Sequence, residues 1–317
     1  MPEIRDLNWS PDSSELFMLT EGQGTWIYRP KEPDRPMEQF AEDIEYMTFS
    51  EDGSYLFFRT FGGNLHIWGT QPYRKIHRMS FPGYTGFLIP FSSRNPDHVF
   101  LWGWAEIIDF EDTKSAIWLY HVLTQTLLFS LDHPRPILHL TISEDEHRFF
   151  FTDPTKTGYM WDIPSASKVA EWESQWLLDI GEEDHPEFRW QGEKIVCHYP
   201  HYDWEGKTVG YHAAIYDPAT NQQQTFEFTS LDETYDALHL AKDRIRQHSE
   251  GVFDEPQRVR IWNPAQKRIF MEFEIEQYRP VAVSPDETML ARYQPDGVAL
   301  FEVQTGKLIR DGIMPPK

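Results

Sequence analysis

A single cysteine, Cys197, stands in 317 residues. No disulfide within the chain can form, so nothing points to an oxidising compartment. No window approaches 18 uninterrupted apolar residues, the length a membrane-spanning helix needs. The opening stretch MPEIRDLNWSPDS lacks an apolar segment and is charged by residue 3, so it does not read as a signal peptide. The expected location is cytoplasmic. Basic residues are scarce, with 29 Lys and Arg against 51 Asp and Glu and a net charge of −22. Neutralising phosphates needs a dense Lys/Arg surface, so neither nucleic acid nor an anionic membrane is an expected partner. A basic partner is permitted, and a solvated acidic surface that resists aggregation is the plainer reading. The chain has no Gly-rich phosphate loop, no Gly-x-Ser-x-Gly, no His-Glu-x-x-His and no Cys-x-x-Cys. No cofactor, resident metal or catalytic residue is therefore expected.

Helical signals are nearly absent too. The one helix-like stretch, LDETYDALHLAKDRI at 231–245, falls where a repeating pattern demands a strand and is read as one. That pattern has two landmarks. The first is an apolar strand ending in Ser and acidic turn residues: LNWSPDSS, MTFSEDGS, LTISEDEH and VAVSPDET, with a weaker copy in IPFSSRNPD. The second is an apolar run ending in an aromatic residue, at Tyr28, Trp68, Trp118, Trp161, Tyr216, Trp262 and Phe301. These aromatics recur every 39 to 55 residues. A period of about 40–45 residues is that of a four-stranded propeller blade, and longer spacings read as loop insertions. Within the second unit, IEYMTFS, YLFFRT, LHIWGT and RKIHRMSF read as strands by alternation and aromatic content. Asp-Gly and Gly-Gly-Asn mark tight hairpins between them.

The expected fold is all-β, a single seven-bladed β-propeller of four-stranded antiparallel blades covering 1–317. Its blades span 4–42, 43–82, 83–133, 134–174, 175–230, 231–276 and 277–315. GKLIRDGI can supply the last strand of the last blade and the first blade can begin near Ile4, so no strand is exchanged between the chain ends. The landmark aromatics are expected in the core between blades.

The Ser-Pro-Asp turns, the period and the stretches MWDIPSASK, IWNPAQKR and FEVQTGK together resemble the WD-repeat propeller family. The best copy is VSPDETMLARYQPDGVALFEVQTGKLI, residues 283–309. The chain differs from the family pattern in having one Trp-Asp pair, Trp161-Asp162, and no Gly-His before a first strand. Most of the buried His, Ser, Trp and Asp hydrogen-bond set of family repeats is therefore expected to be absent. The resemblance implies a rigid platform whose loops or rim bind proteins or peptides, rather than an enzyme.

Connections between second and third strands are tight in four units and expanded in three, at 105–115, 202–210 and 250–257. Long loops are uncommon without a functional reason. In a propeller all three emerge on the face conventionally called the top. They carry acidic residues around an aromatic: Glu106, Asp109, Glu111 and Asp112 with Phe110; Asp203 and Glu205 with Tyr202 and Trp204; Asp254 and Glu255 with Phe253. An aromatic anchor in an acidic rim suits a protein or peptide bearing Lys or Arg.

Other constellations are weaker. His198, His201 and Asp203 have zinc-ligand chemistry, but on an extended strand His198 and His201 point to opposite faces unless Pro200 supplies a turn. A strand end with partly exposed histidines is the plainer reading. Cys197 lies in an apolar strand and reads as a buried hydrophobe. The leading function is a non-enzymatic scaffold or adaptor docking a basic protein or peptide on the top face. One alternative is a propeller hydrolase or lactonase with a channel metal held by residues such as Asn8, His139, Asp236 and His239. The other is a regulatory or sensor subunit of a larger bacterial assembly. The oligomeric state is open, with a monomer favoured.

Overall fold

In a computed structural model of the chain, residues 3–22, 24–41, 44–50, 52–61, 63–81, 87–92, 95–104, 113–143, 145–173, 187–202, 208–220, 222–228, 246–250, 257–263, 268–275 and 280–316 are described. Among them there is no helix, and the strands form six four-stranded antiparallel sheets and one three-stranded sheet. Each sheet is built from consecutive strands. The first contains β1 (Ile4–Trp9), β2 (Leu16–Thr20), β3 (Gly24–Tyr28) and β4 (Glu38–Ala41). The second contains β5 (Ile44–Phe49), β6 (Tyr55–Thr60), β7 (Leu65–Thr70) and β8 (Tyr73–Met79). The third is β9 (Phe87–Ser92), β10 (His98–Trp104), β11 (Ser115–His121) and β12 (Thr126–His133). The fourth is β13 (His139–Ile142), β14 (Arg148–Thr152), β15 (Thr157–Asp162) and β16 (Ser167–Glu173). The fifth is β17 (Glu187–Gln191), β18 (Lys194–Tyr202), β19 (Thr208–Asp217) and β20 (Gln222–Phe228). The sixth has β21 (Arg246–Glu250), β22 (Gln257–Asn263) and β23 (Arg268–Ile275), and the seventh β24 (Val281–Val283), β25 (Met289–Gln294), β26 (Gly297–Glu302) and β27 (Leu308–Ile313). The four strands expected within 43–82 are all present as β5–β8, and GKLIRDGI supplies β27. The stretch 231–245, expected to give the sixth sheet its first strand, lies outside the described residues.

The Ser-acidic landmark is one turn used four times. Ser10, Ser50, Ser143 and Ser284 each donate from Oγ to the carboxylate two residues on, at 2.7–2.8 Å. Each Oγ also accepts the backbone N–H five residues on, at 2.8–2.9 Å. The fourth residue of the turn, Ser13, Gly53, Glu146 or Glu287, has positive φ. At Gly53 a Cβ would press to 3.1 Å on the Pro11 ring of the first sheet, a tight approach that glycine relieves. Partial burial alone would raise Asp12, Asp52 and Asp286, but the Ser and Thr hydroxyls and backbone N–H groups facing them hold these carboxyls below their usual range.

The chain divides into two compact units, 1–81 with 89–92 and 241–317, and 82–88 with 93–240. In the first, apolar clusters join neighbouring sheets: the sixth to the seventh through Ile261, Ile275 and Leu290, and the first to the second through Phe17, Ile27, Met47 and Phe58. The seventh also packs on the first, through Leu7, Trp9 and Tyr28 against Ala291 and Leu300. Trp9 Nε1 donates to the Ala282 carbonyl at 3.1 Å, and Asp286 N donates to Ser13 Oγ at 2.9 Å. The chain ends thus meet without exchanging a strand, since each of these sheets takes all four strands from its own segment.

In the second unit the fourth and fifth sheets share a core of Phe150, Met160, Trp172, Cys197 and Tyr216. The Trp172 and Tyr216 rings stack at 4.0 Å. A Cβ on Gly158 would press to 3.0 Å on both Phe150 and Trp172, so glycine makes room for the indole. Tyr28, Trp118 and Tyr216 are buried, and Trp68 and Phe301 flank apolar clusters, as expected of landmark aromatics. Cys197 is fully buried, as its apolar strand predicts.

Candidate interaction surface

Two of the expanded connections belong to the second unit. Glu106, Asp109, Phe110, Glu111 and Asp112 lie outside the described residues, as do Asp203, Trp204 and Glu205. The stems that present them are described. The first closes on the pair Trp104 and Ser115 at the ends of β10 and β11. Thr113 and Ser115 are buried there, and Ser115 Oγ accepts the Ile137 N–H at 2.9 Å. The base of the 105–115 loop is thereby tied to the segment linking the third and fourth sheets.

Beside that base is a buried polar cluster that sequence reasoning missed. Ser115 pairs in register with His133, the last residue of β12. His133 Nε2 lies 3.3 Å from Asp153 Oδ2 in the β14–β15 turn. The same oxygen accepts from Arg135 Nη1 and the Tyr159 hydroxyl, each at 3.1 Å. Asp153 Oδ1 accepts from the Thr155 backbone N–H at 3.0 Å and from its hydroxyl at 2.5 Å. Asp153 has no solvent exposure. Burial alone would push its carboxyl up, but these donors outweigh it and hold the group well below the usual carboxylate range. Burial and the adjacent Asp153 charge raise the Tyr159 phenol. A buried His, Asp and Tyr hydrogen-bond set is thus present at this position, whereas most sets of that kind are expected to be absent from the chain. The signal was legible only as a His ahead of one strand and an Asp in the next tight turn.

The second stem closes on Tyr202 and Thr208 at the ends of β18 and β19. Tyr202 is described as strand backbone. β18 runs unbroken through Pro200, which pairs with Tyr211, so no turn brings His198 and His201 to one side. His198 pairs with Glu187 on one side and Ala213 on the other and is buried. That corrects its expected partial exposure, because β18 lies inside its sheet rather than at an edge. A Cβ on Gly210 would stand 2.8 Å from the Phe228 carbonyl, which explains a glycine where the loop re-enters the sheet. Tyr199 and His212 stack at 5.4 Å just below.

The third expanded connection lies in the first unit, between β21 and β22, where Glu250 pairs with Arg258. Phe253, Asp254 and Glu255 fall outside the described residues. Of the residues weighed for a channel metal, Asn8 donates to Asp6 at 2.8 Å and His139 packs on Phe188 at 5.2 Å. Asp236 and His239 lie outside the described residues. Among the described residues no group of three His, Cys, Asp or Glu is arranged to hold a metal, and no helix is long and apolar enough to cross a membrane.

No protein-family model matches the chain, and no curated protein matches it. The likeness found is structural, to 1464 solved chains. One is a chain in the crystal structure of the mitotic checkpoint complex, a WD40-type propeller. It aligns with a TM-score of 0.55 over 94% of this chain and 86% of that one, at 14% identity. At that identity the likeness is one of fold. The chain is an all-β protein of repeated four-stranded antiparallel sheets, similar in architecture to a WD40 propeller.

Proposed function

We propose that this chain is a non-enzymatic propeller module, its seven sheets the blades of one closed disc, that docks a basic protein or peptide partner through its second-to-third-strand loops. The observation that carries the proposal is the contrast between stems and loops in the second unit. The stem of 105–115 is anchored by buried Thr113 and Ser115 and abuts the Asp153 cluster. The loop it carries is acid-rich around Phe110, and 203–205 is Asp-Trp-Glu. Rigid scaffolds bearing variable loops are a common way for folds to carry binding. A net charge of −22 favours encounter with a basic partner. The fold neighbour belongs to a protein complex, which is in keeping with a protein partner. Action in the cytoplasm is part of the proposal.

Affinity capture from the native cell, read by mass spectrometry, tests it. The variant carrying Trp204→Ala, Glu111→Lys and Asp112→Lys is expected to lose the main partner while unfolding at the wild-type temperature. Retention of every wild-type partner by that variant would sink the loop-docking reading.

A further inference from the structure

The third and fourth sheets carry a concave surface at the end opposite the 105–115 loop. A groove of about 580 Å³ opens there, within the roughly 300–1,000 Å³ typical of small-ligand and side-chain pockets. Its apolar lining comes from Leu119, Leu128, Ile163 and Pro164. Leu128 stands on β12, the outermost strand of its sheet, and is 46% exposed. An apolar side chain left half in water at the wall of a concave site gains by being covered.

The polar wall is the fourth sheet's Ser turn. Asp145 accepts from Ser143 Oγ at 2.7 Å and from the His147 N–H at 3.0 Å, which hold its carboxyl below the usual range. Glu146 accepts the Asn95 N–H at 3.1 Å, so its carboxylate is fixed across the groove rather than trailing in solvent. His98 Nδ1 is 3.7 Å from the other Glu146 oxygen. Two adjacent carboxylates, one anchored to each side, therefore overlook an apolar trough. Among the described residues no Lys or Arg lines it.

We infer that this groove binds a short segment of a protein partner in which Leu, Ile, Met or Phe sits beside Lys or Arg. The apolar side chain enters against Leu119 and Leu128, and the cation meets Asp145 and Glu146. The site shares no residue with the second-to-third-strand loops, so it stands whether or not those loops dock a partner.

Selection of displayed random short peptides against the full chain tests the inference. Enriched sequences are expected to pair Leu, Ile, Met or Phe with Lys or Arg within two or three positions. The best peptide, made synthetically, is expected to bind Leu128→Glu about tenfold or more weakly and to bind Trp204→Ala as it binds the wild type. Leu128 is exposed enough that its replacement leaves the fold intact, which the unfolding temperature verifies. Enrichment without the apolar–basic pairing, no enrichment, or a peptide indifferent to Leu128→Glu would overturn the inference.

Discussion

Asp153 is the residue on which the anchoring of the second unit turns. A buried carboxylate is stable only when its oxygens are met by donors, and here His133, Arg135, Thr155 and Tyr159 meet them. Replacing it by Asn leaves a charge-assisted set half satisfied, with an expected loss of about 3 kcal/mol at pH 7. The pH dependence has a definite sign. The folded-state carboxyl titrates below the unfolded one, so its contribution is complete above the unfolded value of about 3.9 and disappears as pH falls through the folded value. Urea unfolding should therefore show the gap between wild type and Asp153→Asn widest at neutral pH and closing in strong acid. A gap independent of pH would assign the loss to shape alone. The cluster was hard to see in the sequence because His133, Arg135, Asp153 and Tyr159 come from three separate segments that no local pattern links. In the sequence Tyr159 is overshadowed by Trp161, the landmark aromatic of the same strand.

At the scale of the element, the strands were the most legible part of the chain. Alternating apolar and aromatic residues between Ser-acidic turns mark the strands of the second sheet, β5–β8, and the turns themselves have a hydrogen-bond reason for their spelling. Ser50→Ala and Ser143→Ala each remove one buried hydroxyl that donates and accepts at once. Each is expected to lower stability by about 1 kcal/mol. Each Ser bonds within its own turn, so the double variant should show the sum within about 0.5 kcal/mol, by chemical denaturation. A marked excess over the sum would mean that the turns are coupled. His198 shows where element-level reasoning misled. Its place near a strand end that leads into a hairpin suggests partial exposure, whereas pairing on both sides makes β18 an interior strand and buries it. The groove beside Leu128 was invisible in sequence for another reason: it is made where separate turns and strand ends converge, and no local pattern announces it.

For the whole molecule, the repeat predicts a series of like sheets, and the likeness to a WD40-type chain over 94% of the length agrees. The contact between the first and seventh sheets is one of packing and a few hydrogen bonds, with no exchanged strand. Removing residues 305–317 deletes β27, including buried Ile313 beside Val298 and Tyr28. That truncation is expected to lower the unfolding temperature by roughly 5–10 °C, whereas removing residues 1–3 should leave it nearly unchanged. Equal effects would contradict a seam that depends on the last sheet being complete. The acid-rich loops add the functional claim to this frame. The direct measurement is hydrogen–deuterium exchange of the chain with and without the main partner captured from its native cell. Slowed exchange in peptides covering 105–115 and 202–210 is expected on binding. A bound partner that leaves exchange in both segments unchanged would contradict it.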